Sequence, residues 1–81
     1  MGQLVVRYFA SARAASGVSE EHVEAASLAD ALALLGDRHG ERLSAIVRVS
    51  TLLLDGTRVT DRSMELPPRS ELEVLPPFAG G

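Results

Sequence analysis

The apolar positions of the chain fall into blocks with two different periods. In residues 3–10, Leu4, Val6 and Tyr8 alternate with Val5, Arg7 and Phe9. This predicts a strand with apolar residues on both faces, the pattern of a strand inside a sheet. Residues 11–18 are small and polar with Gly17 as a breaker, which reads as a loop or one helical turn. Residues 19–25, SEEHVEA, read as a second strand with its polar side chains outward, so the first two runs make a hairpin with a long loop. From Ser27 to Gly40 the period becomes helical. Leu28, Leu32 and Leu35 recur at i, i+4 and i+7, and Ala31 and Leu34 widen the stripe. Ser27 is placed to cap this helix, with Asp30 three residues on, and Arg38 and His39 fall in its last turn ahead of Gly40. Gly36 weakens that last turn by about 1 kcal/mol.

Residues 41–47 are readable as a short helical turn or as a loop that tucks Leu43, Ile46 and Val47 inward. Residues 48–60 return to strand character around Asp55-Gly56, a pair that favours the type I′ hairpin turn. Residues 61–70 are a connection whose Pro67 and Pro68 cannot donate to a ladder. Residues 71–75 form a last strand, with Leu72 and Val74 on one face and Glu71, Glu73 and Leu75 on the other. The expected class is α+β: a mixed sheet of about five strands covered by one main helix in two layers. That is the β-grasp, or ubiquitin-like, arrangement. The expected organisation is a body over residues 1–75 and an extended tail over residues 76–81.

Composition narrows the chemistry. A chain of 81 residues is one domain. It has no cysteine, which removes disulfides, thiolate metal sites and a cysteine nucleophile. With 8 basic against 11 acidic residues it carries a net charge of −3, so it lacks the basic character of a nucleic-acid binder. No run approaches the ~18 apolar residues of a membrane span, and Arg7 interrupts the first apolar run, unlike a signal peptide. A cytoplasmic setting follows as the expectation. All of the basic residues are arginine. Without lysine, the chain has no side-chain amine to accept an isopeptide bond. His22 and His39 lack a third ligand at metal-like spacing and read as surface residues, and no metal site is expected. Neither a GxGxxG nor a P-loop motif occurs. The acidic stretch at residues 20–24 reads as a solvated face that at most steers a basic partner.

What remains is the stretch LPPFAGG, residues 75–81. Pro76 and Pro77 stop a ladder and favour an extended exit. Six extended residues reach about 20 Å. Gly80 and Gly81 lack a Cβ, so such an arm fits a narrow channel. A carboxylate at Gly81 is a poor electrophile until ATP converts it to an acyl-adenylate. A sulfur nucleophile then displaces AMP and leaves a thiocarboxylate. On this reading the carrier has no catalytic site of its own and binds no cofactor.

The stretches VRYFASAR, SLADALALL, LLLDGTRV and LEVLPPFAGG, spread over nearly the whole chain, resemble the small, sulfur-carrying subunits of molybdopterin synthase. These belong with the ubiquitin-like sulfur carriers, which include the thiamine-pathway carrier. The resemblance implies acyl-adenylate and thiocarboxylate chemistry at Gly81, and tail insertion through Gly80, Ala79 and Phe78. It implies Leu75 and Val59 as candidates for a docking surface, with a place in the core as the other reading of both. The implied partners are the large subunit of molybdopterin synthase, an adenylating enzyme related to ubiquitin activators that uses ATP, and a sulfurtransferase. The sulfur would go to the pterin precursor of the molybdenum cofactor. Service to thiamine or cysteine synthesis, or a role as a ubiquitin-like protein modifier, are the alternatives.

Overall fold

The structure is a computed structural model and describes residues 1–77. The elements run β1 (Gly2–Tyr8), α1 (Ala10–Ser16), β2 (Glu20–Ala25), α2 (Leu28–His39), α3 (Glu41–Val49), β3 (Thr51–Leu54), β4 (Thr57–Arg58) and β5 (Arg69–Leu75). The five strands form one sheet in the order β2-β1-β5-β3-β4. β1 and β5 are parallel and the other pairs antiparallel. This is the expected β-grasp, with β1 inside the sheet as its two-faced apolar pattern predicts.

The alternation in the strands decides which face is covered. Leu4, Val6 and Tyr8 of β1, Leu52 and Leu54 of β3, and Leu72 and Val74 of β5 are all buried. Leu28, Ala31 and Leu35 of α2 and Leu43 and Val47 of α3 close over them. Ser27 caps α2 through the hydrogen bond its Oγ accepts from the Asp30 N–H, at 3.1 Å. Asp55 and Gly56 both have positive φ, 49° and 82°, as the predicted hairpin turn requires. Asp55 also ties the turn to β5: its N–H donates to the Glu71 carbonyl at 2.8 Å, and its Oδ1 accepts from the Glu71 N–H at 2.9 Å.

Four expectations need correction. Residues 10–16 are a helix, closed by Gly17 at φ 78°. Residues 41–49 are also a full helix, so the first strand of the hairpin starts only at Thr51. Leu43, Ile46 and Val47 supply the i, i+3, i+4 stripe for α3. Its end is held by Arg62, whose guanidinium donates to the carbonyls of Val47 (2.9 Å) and Ser50 (2.7 Å). Leu34 is 42% exposed and does not join the core. The buried stripe of α2 runs through Leu28, Ala31 and Leu35, and Leu34 turns instead to a groove beside β2. Finally, β5 begins at Arg69 and not at residue 71, because Arg69 and Ser70 already pair with Gln3 and Leu4 of β1. Gly36 stays inside α2, as expected, with α3 beside it. A Cβ at Gly36 would run into Ser44 Oγ.

Candidate functional site

The first candidate site is where β5 leaves the sheet. β5 is the third of the five strands, held by β1 on one side and β3 on the other. At its end Tyr8 pairs with Val74, and Leu75 pairs with Thr51. The Phe9 N–H donates to the Val74 carbonyl at 3.3 Å, which fastens the last turn of β1 to the exit. Pro76 and Pro77 follow outside any strand. Phe9, 37% exposed, stands beside this end, and the chain then turns through Ala10 at φ 50° into α1.

The two docking candidates lie at this same end but on opposite faces. Val59 donates its N–H to the Leu52 carbonyl at 2.8 Å and packs against the core beneath the sheet. Leu75 lies on the open face, half-buried, in the same set as Arg69, Glu71 and Glu73. Leu53 belongs beside it. Leu53 pairs with Glu73, which makes it a diagonal neighbour of Leu75 on the open face, and it too is half-buried. The triplet of leucines at residues 52–54 carried that signal: two point inward, so the middle one must point outward. Gly81, Gly80, Ala79 and Phe78 lie outside the described residues.

A second arrangement was not legible as a site. Glu21 shares the inward face of β2 with Val23 and Ala25. Its carboxylate accepts from the Tyr8 hydroxyl at 2.6 Å and from the Arg38 guanidinium at 2.7 Å, and His39 Nε2 lies 2.5 Å away. The Glu21 and His39 side chains are only 13% and 14% exposed. His39 is therefore not the surface residue expected; it meets Tyr8 edge-on, with ring centroids 6.2 Å apart. Burial pushes the Glu21 carboxyl up, but the hydrogen bonds from Tyr8, Arg38 and His39 outweigh it and hold the group below the usual glutamate range. Burial, then the bond to Glu21, pushes the Tyr8 phenol well above its usual range. This cluster pins the end of α2 to the β1–β2 hairpin. His22, by contrast, is exposed on the open face. Among the described residues, no group of three or more His, Cys, Asp or Glu could hold a metal ion, and no helix is long and apolar enough to cross a membrane.

Comparison with known proteins decides the family. The sequence matches the ThiS family over residues 6–81. The chain belongs to the ThiS family. It is thereby a ubiquitin-like sulfur carrier. Solved structures similar to this ThiS-family chain include a protein described as molybdopterin converting factor, subunit 1, from Pyrococcus furiosus. That protein is 26% identical, with TM-score 0.81, covering 96% of this chain and 100% of the other. Small archaeal modifier protein 1 from Methanosarcina acetivorans is 22% identical, with TM-score 0.85, covering 100% and 98%. A complex of subunits 1 and 2 of molybdopterin-converting factor from Helicobacter pylori is 22% identical, with TM-score 0.73, covering 98% and 99%. The last two share the fold with this ThiS-family chain. Among curated protein sequences none matches it.

Proposed function

We propose that this protein carries sulfur on the carboxyl of Gly81 for the synthesis of molybdopterin. The observation that supports this most is the exit of β5. A middle strand, clamped on both sides, ends at Leu75 and is followed at once by Pro76 and Pro77, so the chain leaves the sheet there, which suits a carrier that offers the residues after the exit to a partner. The family match that runs through Gly81 supports the same reading. So does the likeness to a molybdopterin converting factor subunit 1 at 26% identity. In the first step the Gly81 carboxylate attacks the α-phosphate of ATP, held by an adenylating partner, and pyrophosphate leaves. A sulfide-level nucleophile delivered by a sulfurtransferase then adds to the acyl carbon, and the C–O bond to AMP breaks. The thiocarboxylate that results is a soft nucleophile. With the tail inserted in a large subunit, its sulfur attacks an electrophilic carbon of the pterin precursor and displaces an oxygen substituent; water then cleaves the acyl C–S bond, which returns the Gly81 carboxylate and leaves the sulfur on the pterin. The Helicobacter pylori complex of subunits 1 and 2 is the precedent for that partner. On this proposal the chain supplies the arm and its partners supply the acid–base chemistry and the ATP site.

Intact mass tests the proposal. Incubation with an adenylating enzyme, ATP and a sulfur source is expected to add the mass difference of one oxygen exchanged for one sulfur. A chain lacking Gly81 is expected to stay unmodified and to leave molybdopterin unmade. Unchanged mass of the full chain, or full molybdopterin synthesis without Gly81, defeats the reading. A protein-modifier reading has the likeness to small archaeal modifier protein 1 in its favour. It predicts stable adducts between Gly81 and lysines of other proteins, visible as branched peptides by mass spectrometry.

A further inference from the structure

β2 is an edge strand of the sheet, so one side of its backbone faces away from β1. The Tyr8 N–H donates to the Ser19 carbonyl at 2.9 Å. Bonded pairs alternate along an antiparallel ladder, and the register continues through Val6–Glu21, Leu4–Val23 and Gly2–Ala25. Glu20, His22 and Glu24 therefore turn their N–H and C=O groups away from β1. The other side of β1 agrees, since the N–H groups of Gln3 and Phe9 go to β5 and its approach, at Pro68 and Val74. Arg38 occupies the His22 carbonyl at 3.1 Å and closes one half of this edge. The half at Glu24 stays open: among the described residues its backbone groups have no hydrogen-bond partner.

Beside that open half lies a groove of about 370 Å³ between β2 and α2. Ala25, Ala33 and Leu34 give it an apolar floor, and Glu24, Asp30 and Asp37 rim it. Among the described residues none of the three carboxylates is in an ion pair. Leu34 is the one large apolar side chain of α2 that the core leaves exposed.

We propose that this edge and groove dock an extended, basic segment of a partner protein, which adds as a strand beside β2. Its backbone pairs with Glu24 and the His22 N–H, one set of its side chains enters the groove over Leu34 between Asp30 and Asp37, and the alternate set, on the open face with Glu24, supplies the arginines or lysines. Charge chooses this occupant over a second copy of the chain. Antiparallel self-pairing about His22 sets Glu20 opposite Glu24 on both sides, and directly opposed like charges disfavour the pair. β2 is two strands away from β5, so a partner held here leaves the exit of the tail free. The proposal does not depend on the chemistry at Gly81.

The test uses the full chain and a capped peptide of alternating arginine and valine, with a glutamate–valine peptide as control. Backbone amide shifts are expected to change at His22, Glu24, Ala33 and Leu34, and exchange of the Glu24 amide is expected to slow. Added salt should weaken binding. Reversing two carboxylates in E24R/D37R should raise Kd at least about tenfold, as attraction becomes repulsion at exposed sites. Both positions are exposed, so the variant keeps its core; Leu34→Ser gives a second probe without a charge change and is also expected to weaken binding. Shifts centred on Leu53 and Leu75, equal binding of the glutamate peptide, an unchanged Kd in E24R/D37R, or no binding at millimolar peptide would each overturn the proposal. So would sedimentation showing that the free protein pairs through β2.

Discussion

Along β5 the residues that face the helices and those that face solvent meet opposite demands. Leu72 and Val74 are fully buried, at 0% exposure. Arg69 and Glu71 are exposed, and Glu73 and Leu75 are half-buried on the open face. One strand thus closes the core with alternate residues and carries the exit with the others. The burial of the first set fixes where Pro76 begins, so the geometry of the exit depends on the core. The second set contributes little to folding and is available to partners. Arg7 shows this surface character: it bridges Glu71 at 3.1 Å and Glu20 at 3.7 Å, with all three side chains roughly half exposed. Such exposed pairs are worth little to stability.

The sharpest way to break this contrast is to hollow out the inner face. Leu72→Ala should cost about 3 kcal/mol, because it removes packing and leaves a cavity among fully buried neighbours. Urea unfolding followed by circular dichroism checks this. A cost near that of an exposed site would mean the core does not rest on β5.

Next comes the cluster that pins α2 to β1 and β2. Glu21→Gln should cost about 2 kcal/mol at neutral pH, since charge-assisted hydrogen bonds from Tyr8, Arg38 and His39 are weakened together. The pH dependence has a definite sign. The folded carboxyl titrates below the unfolded one, so its stabilisation is complete above the ordinary glutamate range. It is lost as pH falls through the depressed folded value. Urea midpoints from neutral to acid pH should therefore fall more steeply for the native chain than for Glu21→Gln. Parallel curves would remove Glu21 from the account.

Gly2→Ala comes third, at about 1–2 kcal/mol. Gly2 is buried in β1, and an added Cβ would strike the Pro67 carbonyl oxygen and the Leu66 side chain. Because the obstacle includes backbone, relief requires the residue 66–68 segment to move. A thermal melt of the variant checks the sign; an unchanged Tm would show that this segment yields freely.

These residues also show what the sequence could and could not reveal. The two faces of β5, the Ser27 cap and the Asp55-Gly56 turn were legible because each rests on local spacing or on backbone conformation. α1 was not, because its buried residues, Ala12 and Ser16, make no apolar stripe to read. The extent of α3 and the tolerance of Gly36 depend on each other across a helix pair, through Ser44. The Glu21 cluster joins residues 8, 21, 38 and 39, which no window of sequence brings together. A period-two reading does place Glu21 on the face of Val23, and that was the available sign that the acidic run is not uniformly solvated. The strand order 2-1-5-3-4 is a long-range property, and local periodicity does not carry it. For the candidate site, Leu75 and Val59 were legible as docking or core candidates, and only the fold puts them on opposite faces of the sheet, whereas the glycines that carry the proposed chemistry lie beyond residue 77.

The smallest expected effect is on the open face, and it bears most directly on function. Leu75→Ala removes a half-buried side chain that is outside the core cluster, so its stability cost should stay below about 1 kcal/mol. Val59→Ala should cost more, about 1–2 kcal/mol, because Val59 packs against the core from beneath the sheet. If the open face beside the exit is where a large subunit docks, the order reverses in binding. Leu75→Ala should weaken a large-subunit complex severalfold while barely moving the urea midpoint, and Leu53→Ala should add to it because the two leucines are diagonal neighbours. Val59→Ala should do the opposite, lowering the midpoint and leaving the affinity of the folded protein nearly unchanged. Calorimetric titration of the three variants against one large subunit separates these outcomes. If Val59→Ala weakens binding and Leu75→Ala does not, the docking surface lies on the helix side, and the open face of β5 serves only to keep the strand soluble.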